Sequence, residues 1–189
     1  LRTQSFLNSA SVLGAATSGQ VSLVYNQRVA SIKSAFLAFA STQNDSNLWG
    51  DSADITKANG SYSLTIAGQN YPSTPYSTAT NKNGLLQALR VATGNIYNKD
   101  NNFSINSIEW NMEDGDATTL TAPGKWFFGV DLEKVDSSMI LAGVSSQSSA
   151  ISANIQLGTA TTDAHNVHLI LNYDAVLEIG ADGQVALRM

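Results

Sequence analysis

The sequence predicts an all-β fold: about eight strands, eight or nine by count, with one short inserted helix fit an antiparallel jelly-roll or another Greek-key β-sandwich. Three observations lead there. Trp126, Phe128, Val130 and Leu132 fall on alternate residues, a period of two that places all four on one face of a strand, against a core. Short runs of the same kind recur along the chain, separated by small polar residues that read as turns. An apolar stripe of helical period is convincing only once, over Leu85, Leu86, Leu89 and Ala92. The stretch from residue 125 to 155 is the piece around which the rest is organised, because it joins the Trp126 strand to two further strand signals at 140–146 and 151–155.

Taken in order, residues 1–20 are rich in Ser, Ala, Thr and Gly, show no lasting apolar period, and read as an N-terminal arm or linker ahead of a domain spanning 21–189. Residues 21–25 form a first strand, interrupted by Asn26-Gln27-Arg28. The next run, 29–40, fits a helical face through Val29, Ile32, Phe36 and Ala40 and a strand through Ala35, Leu37 and Phe39; strand is the reading adopted. Residues 42–57 are polar and loop-like, anchored by Leu48 and Trp49. Residues 61–66 alternate cleanly, with Tyr62, Leu64 and Ile66 on one face and Gly68 ending the strand. Pro72 and Pro75 fix φ and remove backbone donors, so 71–76 is expected to be an extended or turning loop.

The helix follows, with Asn83 as the expected N-cap and Gly94 as the residue just past its end. Residues 103–108 and Trp110 mark another strand after an Asn-rich turn, and an acidic loop at 113–116 leads to Pro123-Gly124 and the organising strand. The last third holds strands at 167–173 and 175–179, then a turn whose Asp182-Gly183 pair is the strongest hairpin signal in the chain, then 185–187. No internal repeat is evident.

Composition narrows the function classes. A chain of 189 residues is long enough for one domain with a sizeable core. Hydrophobic residues make up 43% and charged residues only 13%, about half the usual charged share. Ser, Thr, Asn and Gln fill the gap, and such a surface suits a protein that packs against copies of itself. A net charge of −5 with ten scattered Lys and Arg argues against a nucleic-acid groove. The absence of cysteine removes disulfides, thiolate nucleophiles and Cys-based zinc sites together. No apolar run approaches the ~20 residues of a membrane helix, and the N-terminus lacks a signal-peptide pattern. Leu1 in place of an initiator Met is expected from processing or from a start partway along a longer chain.

No residue stands out as catalytic, cofactor-binding or metal-ligating. His165 and His168 are three apart, so on a strand they point to opposite faces and cannot share a metal. Asp163 and His165 share a face, but two ligands are not a site. The Glu113-Asp114-Gly115-Asp116 loop lacks the ligand series of an EF-hand and reads as a solvated acidic turn. Gly143-Val-Ser-Ser-Gln resembles the start of a nucleophile elbow without its second Gly or following helix. Asn44, Asn59 and Asn102 each begin an Asn-x-Ser sequon, a number near chance for this composition. Trp126 belongs to the core by its alternation, while Trp49 and Trp110 remain open as parts of a sugar-stacking platform.

Several short motifs occur in a characteristic order: Arg28 with Ser31-Ile32-Lys33; the Tyr62 strand running to Gly68 and then Tyr71-Pro72-Ser73-Thr74-Pro75; the helix ending at Gly94; Phe128-Gly129-Val130-Asp131-Leu132; Gly143-Val144-Ser145; and Leu169 through Tyr173-Asp174. Over roughly residues 20 to 189 this order resembles the second, C-terminal jelly roll of double-jelly-roll major capsid proteins of Polinton-type, adintovirus-like and virophage-like double-stranded DNA viruses. The resemblance implies two stacked sheets, a homotrimeric capsomer that tiles an icosahedral virion shell, contacts with a penton or minor capsid protein, and no catalysis. Two histidines and no cysteine leave oxygen ligands alone in plenty, so no cofactor is expected, Ca²⁺ at an interface being the one tolerated exception. The family's subunit carries two jelly rolls in tandem, and this chain has room for one. A carbohydrate-binding or adhesive β-sandwich is the rival reading, and a cupin-type enzyme would need a His and carboxylate cluster that two histidines hardly supply.

Overall fold

A computed structural model describes residues 2–42, 52, 54–56, 59–94, 110, 126–133, 143–180 and 184–188. Its described strands are β1 (Arg2–Leu13), β2 (Gly19–Tyr25), β3 (Ile32–Ser41), β4 (Ser61–Ile66), β5 (Gln69–Ser77), β6 (Phe128–Asp131), β7 (Ile151–Leu157), β8 (His165–Ile179) and β9 (Val185–Arg188), and the helix α1 (Lys82–Gly94) lies between β5 and β6. One sheet runs β1-β8-β3-β6 and the other β2-β7-β4-β5, all pairs antiparallel. The pairs β1·β8, β2·β7, β3·β6 and β4·β5 are those of one long hairpin, folded at the β4–β5 turn and rolled up so that successive pairs alternate between two sheets. That wrapping defines the jelly roll, and the fold class expected from the sequence is the one observed.

Val176 pairs with Arg2 of β1 and with Arg188 of β9. A strand residue has one neighbour on each side, so β9 lies on the side of β8 opposite β1 and extends the line of β3. The hairpin is closed by the Gly180 N–H donating to the Gln184 carbonyl at 2.8 Å; the Asp182-Gly183 pair itself lies outside the described residues.

The core fills the space between the inner faces. β8 contributes Val167, Leu169, Leu171, Tyr173 and Ala175, β3 contributes Ala35, Leu37 and Phe39, and facing them stand Ile151, Ala153, Ile155 and Leu157 of β7 and Tyr62, Leu64 and Ile66 of β4, all buried. Tyr25 reaches across and donates its hydroxyl to the Val167 carbonyl at 2.9 Å, tying the two sheets together. At one end the rings of Phe39, Tyr62, Trp126, Phe128 and Trp110 form a continuous cluster with centroids 4.7–5.9 Å apart, within the range of favourable aromatic pairing.

The organising strand has the expected register. Trp126, Phe128, Val130 and Leu132 are all buried, although only residues 128–131 pair as a strand, with β3. Gly129 faces the opposite side, where a Cβ would collide with the side chains of Leu89 on α1 and Phe36 on β3. The outer face of β6 is therefore roofed by α1, whose buried Leu85, Leu86, Leu89 and Ala92 are the predicted stripe.

Several expectations are corrected. Residues 2–13, read as arm or linker, form β1, paired residue for residue with β8. Tyr71–Tyr76, read as a loop, lies within β5; a proline is tolerated there because β5 is an edge strand. The strands read at 167–173 and 175–179 are one strand of 15 residues. Asn81, not Asn83, caps the helix: its side-chain oxygen accepts the Gly84 N–H at 3.1 Å. Gly94 is the last helical residue and does not take the left-handed conformation. Val144 makes a single bridge to Ile32 rather than a strand, and Trp110 is helical. The strand read at 103–108, the acidic loop at 113–116, residues 140–142, and the sequons at Asn44 and Asn102 lie outside the described residues.

Candidate functional site

The polar groups that could carry chemistry are mostly committed to holding the fold. Asp54 Oδ1 accepts the Tyr62 hydroxyl at 2.7 Å, the Thr56 hydroxyl at 2.7 Å and the Thr56 N–H at 3.0 Å. Thr56 and Thr78 hydroxyls meet at 2.9 Å, and the Thr78 hydroxyl oxygen accepts the Gly60 N–H at 3.0 Å. Burial first, and the Asp54 carboxylate second, raise the Tyr62 pKa well above the ordinary phenol value. This network staples Asp54 and Thr56 onto the sheet containing β4.

A second group gathers the motif residues from three separate parts of the chain. Asp174 Oδ2 accepts the Ser31 hydroxyl at 2.9 Å, while the Asp174 N–H donates to the Ser31 carbonyl at 2.9 Å. The Gly143 N–H donates to Ser31 Oγ at 3.2 Å, and Ile32 and Val144 exchange two backbone hydrogen bonds. A Cβ on Gly143 would collide with the Ile32 backbone, so only glycine permits this approach. Ser146 receives the Val29 N–H on its hydroxyl at 3.0 Å and donates that hydroxyl to the Gln27 carbonyl at 2.8 Å. Arg28 reaches the Ser146 and Gln147 carbonyls at 3.3 and 3.4 Å. The elbow-like Gly143-Val-Ser-Ser-Gln is thus a strap bound to residues 27–32. Ser145 accepts the Gln147 N–H at 3.3 Å in a local turn, and its hydroxyl has no histidine or carboxylate bonded to it among the described residues.

Beside the strap, Lys33 Nζ lies 3.0 Å from Glu133 Oε1, with side-chain exposures of 8% and 5%. The contact falls outside hydrogen-bond geometry and is chiefly coulombic. Ser34 and Asn172, both fully buried and paired across β3 and β8, have side-chain polar atoms without partners. His165 and His168 do point to opposite faces, and His165 Nδ1 is engaged by the Asp163 carbonyl at 2.9 Å. Among the described residues no group of three or more His, Cys, Asp or Glu could hold a metal.

Two of the three tryptophans are withdrawn from any sugar platform. Trp110 and Trp126 are each 2% exposed, and Trp110 Nε1 donates to the Phe127 carbonyl at 3.0 Å. Trp49 lies outside the described residues.

The feature that does stand apart is a surface. Across the outer face of the β2-β7-β4-β5 sheet, Ser22 donates to Asn154 Oδ1 at 3.0 Å, Asn154 Nδ2 donates to Thr65 at 2.8 Å, and Thr65 donates to Asn70 Oδ1 at 2.6 Å. One row of neutral side chains thereby crosses all four strands. None of those strands carries a single Asp, Glu, Lys, Arg or His. Sequence reasoning noted the low overall charge but could not place it, since the face exists only once β2, β4, β5 and β7 are known to lie side by side.

Among the described residues no helix is long and apolar enough to cross a membrane. No protein-family model matches the chain, and no curated protein is significantly similar to it.

Proposed function

We propose that this chain is a structural protein of a virion, the capsid-forming jelly roll of a double-stranded DNA virus or virus-like element. It self-associates into trimeric capsomers that tile an icosahedral shell and meet penton or minor capsid proteins at its boundaries. The observation that carries the reading is the wholly uncharged four-stranded face. A surface without ionic groups loses no ion hydration on burial and presents no like charge to a copy of itself, so it suits broad contacts between identical subunits. The family resemblance of the motifs supports the same reading, and the strap, the Asp174–Ser31 bonds and the Lys33–Glu133 pair give those motifs a structural role. On this reading the chain catalyses nothing and takes no cofactor.

The rival sugar-binding sandwich is weakened by the burial of Trp110 and Trp126, because stacking on a sugar needs an accessible ring. Sedimentation velocity over a range of protein concentrations separates the two. The shell reading expects a trimer at micromolar concentration, burying well above the ~1,000 Å² floor for a specific contact. A monomer at every concentration would count against it.

A further inference from the structure

We propose that β1 is a docking edge for a second copy of this chain, whose own β1 adds antiparallel across a twofold axis and joins two five-stranded sheets into one. The inference rests on the shell-building reading and names one contact within it.

A jelly roll has four sheet edges, and here they are treated unequally. β5 carries Pro72 and Pro75, which deny donors to an incoming strand. β6 is four residues long and lies under α1. β2 runs seven residues and opens on Gly19, so it offers an incoming strand little more than half the length of β1. Short strands, prolines and covering helices are the ordinary protections of an edge. Among the described residues β1 has none of them: it runs 12 residues, holds no proline or glycine, and has no charge after Arg2. Among the described residues it pairs with β8 alone, so along its other side a row of backbone N–H and C=O groups faces no strand. Its outward side chains include Phe6 and Val12, 53% and 64% exposed.

Unpaired groups on a regular strand are complementary to another strand. The identity of that strand follows from charge. Copies bearing −5 repel one another in general, but residues 3–27 contain no Asp, Glu, Lys, Arg or His, so two β1 edges meet without like charges. The same neutrality gives a different partner nothing ionic to select. Self-pairing also preserves the pleat, because a twofold axis normal to the sheet keeps outward residues outward. It places either Leu7 against Leu7 or Asn8 against Asn8, and in both registers the two Asn8 side chains are direct or diagonal neighbours. Such a contact is isologous, the kind that links one closed trimer to the next.

Asn8 is exposed and outside the core, so Asn8→Lys and Asn8→Asp leave the monomer's melting curve unchanged; Ala10, exposed on the same face, supplies an equivalent pair of variants if either fails to fold. Above the concentrations at which the trimer forms, wild-type protein is expected to sediment as larger species. Each variant alone should stop at the trimer or below, its twofold contact weakened about tenfold or more by apposed like charges, and an equimolar mixture should regain the larger species. Larger species persisting in either single variant, or a mixture that regains nothing, would overturn the edge contact and leave the shell reading standing. A wild type that stops at the trimer does the same, whereas a wild type that is monomeric throughout removes the shell reading and this contact together.

Discussion

Replacing Phe128 with Ala removes a fully buried ring that packs 5.8 Å from Tyr62, in a cluster shared with Trp126 and Phe39. The neighbours are large, rigid aromatics, and β6 is held by its register to β3, so the site has little means of collapsing into the space. The loss is therefore expected at about 4–5 kcal/mol, the upper part of the range for a buried Phe, from a total of ~5–15 kcal/mol. In a domain of this size that lowers the melting temperature by roughly 10–15 °C. Phe127→Ala is the matched control. Phe127 is half-buried on the opposite face of the organising segment, and its contact with Trp110 is made by the carbonyl, which the substitution keeps. A loss of about 1–2 kcal/mol is expected there. Urea unfolding of both variants, followed by tryptophan fluorescence, decides the matter. If Phe127→Ala proves the more damaging, the inward face of the organising strand has been misassigned by one residue, and the aromatic cluster is not what the sandwich is built on.

Three further outcomes are expected. Tyr62 and Tyr25 both have phenol pKa values raised above the ordinary value, by burial foremost. Above about pH 10 the unfolded chain releases these protons and the folded one keeps them, so stability is full below that pH and falls as pH rises, by up to about 1.4 kcal/mol per pH unit for Tyr62. Alkaline unfolding of Tyr62→Phe should show a shallower limb than wild type. Lys33→Ala strands Glu133 in a nearly dry site and should cost about 3–5 kcal/mol, read by thermal melting, whereas the double replacement Lys33→Met with Glu133→Leu should recover much of the loss. Ala67 sits at φ +52° in the two-residue β4–β5 turn, where an L-residue pays for the left-handed conformation; Ala67→Gly should stabilise by about 0.5–1 kcal/mol in urea unfolding.

How much of this was legible in the sequence depended on whether apolar residues kept to one face. Tyr62, Leu64 and Ile66 do, and β4 was readable to the residue. In β1 the large apolar residues divide, with Phe6 and Val12 outward and Leu7 and Leu13 inward, so the alternation cancels; pairing with β8 decides the structure instead. β5 was hidden by its prolines, which mark an edge as readily as a loop. Asp174 looked like a break in β8 because its partner, Ser31, lies far off in sequence. The helix stripe was plain but its cap was not, as Asn81 and Asn83 are chemically alike and only the geometry at Gly84 separates them. The candidate surface was legible only as composition, since a face shared by four strands has no signature within any one of them.

On the proposed function, identical copies build an ordered shell. Electron microscopy of the purified chain, concentrated under conditions where it associates, tests that most directly. Threefold units arranged in hexagonal arrays or closed particles are expected. A field of single, unassociated sandwiches, or of disordered aggregates lacking any threefold unit, would contradict it.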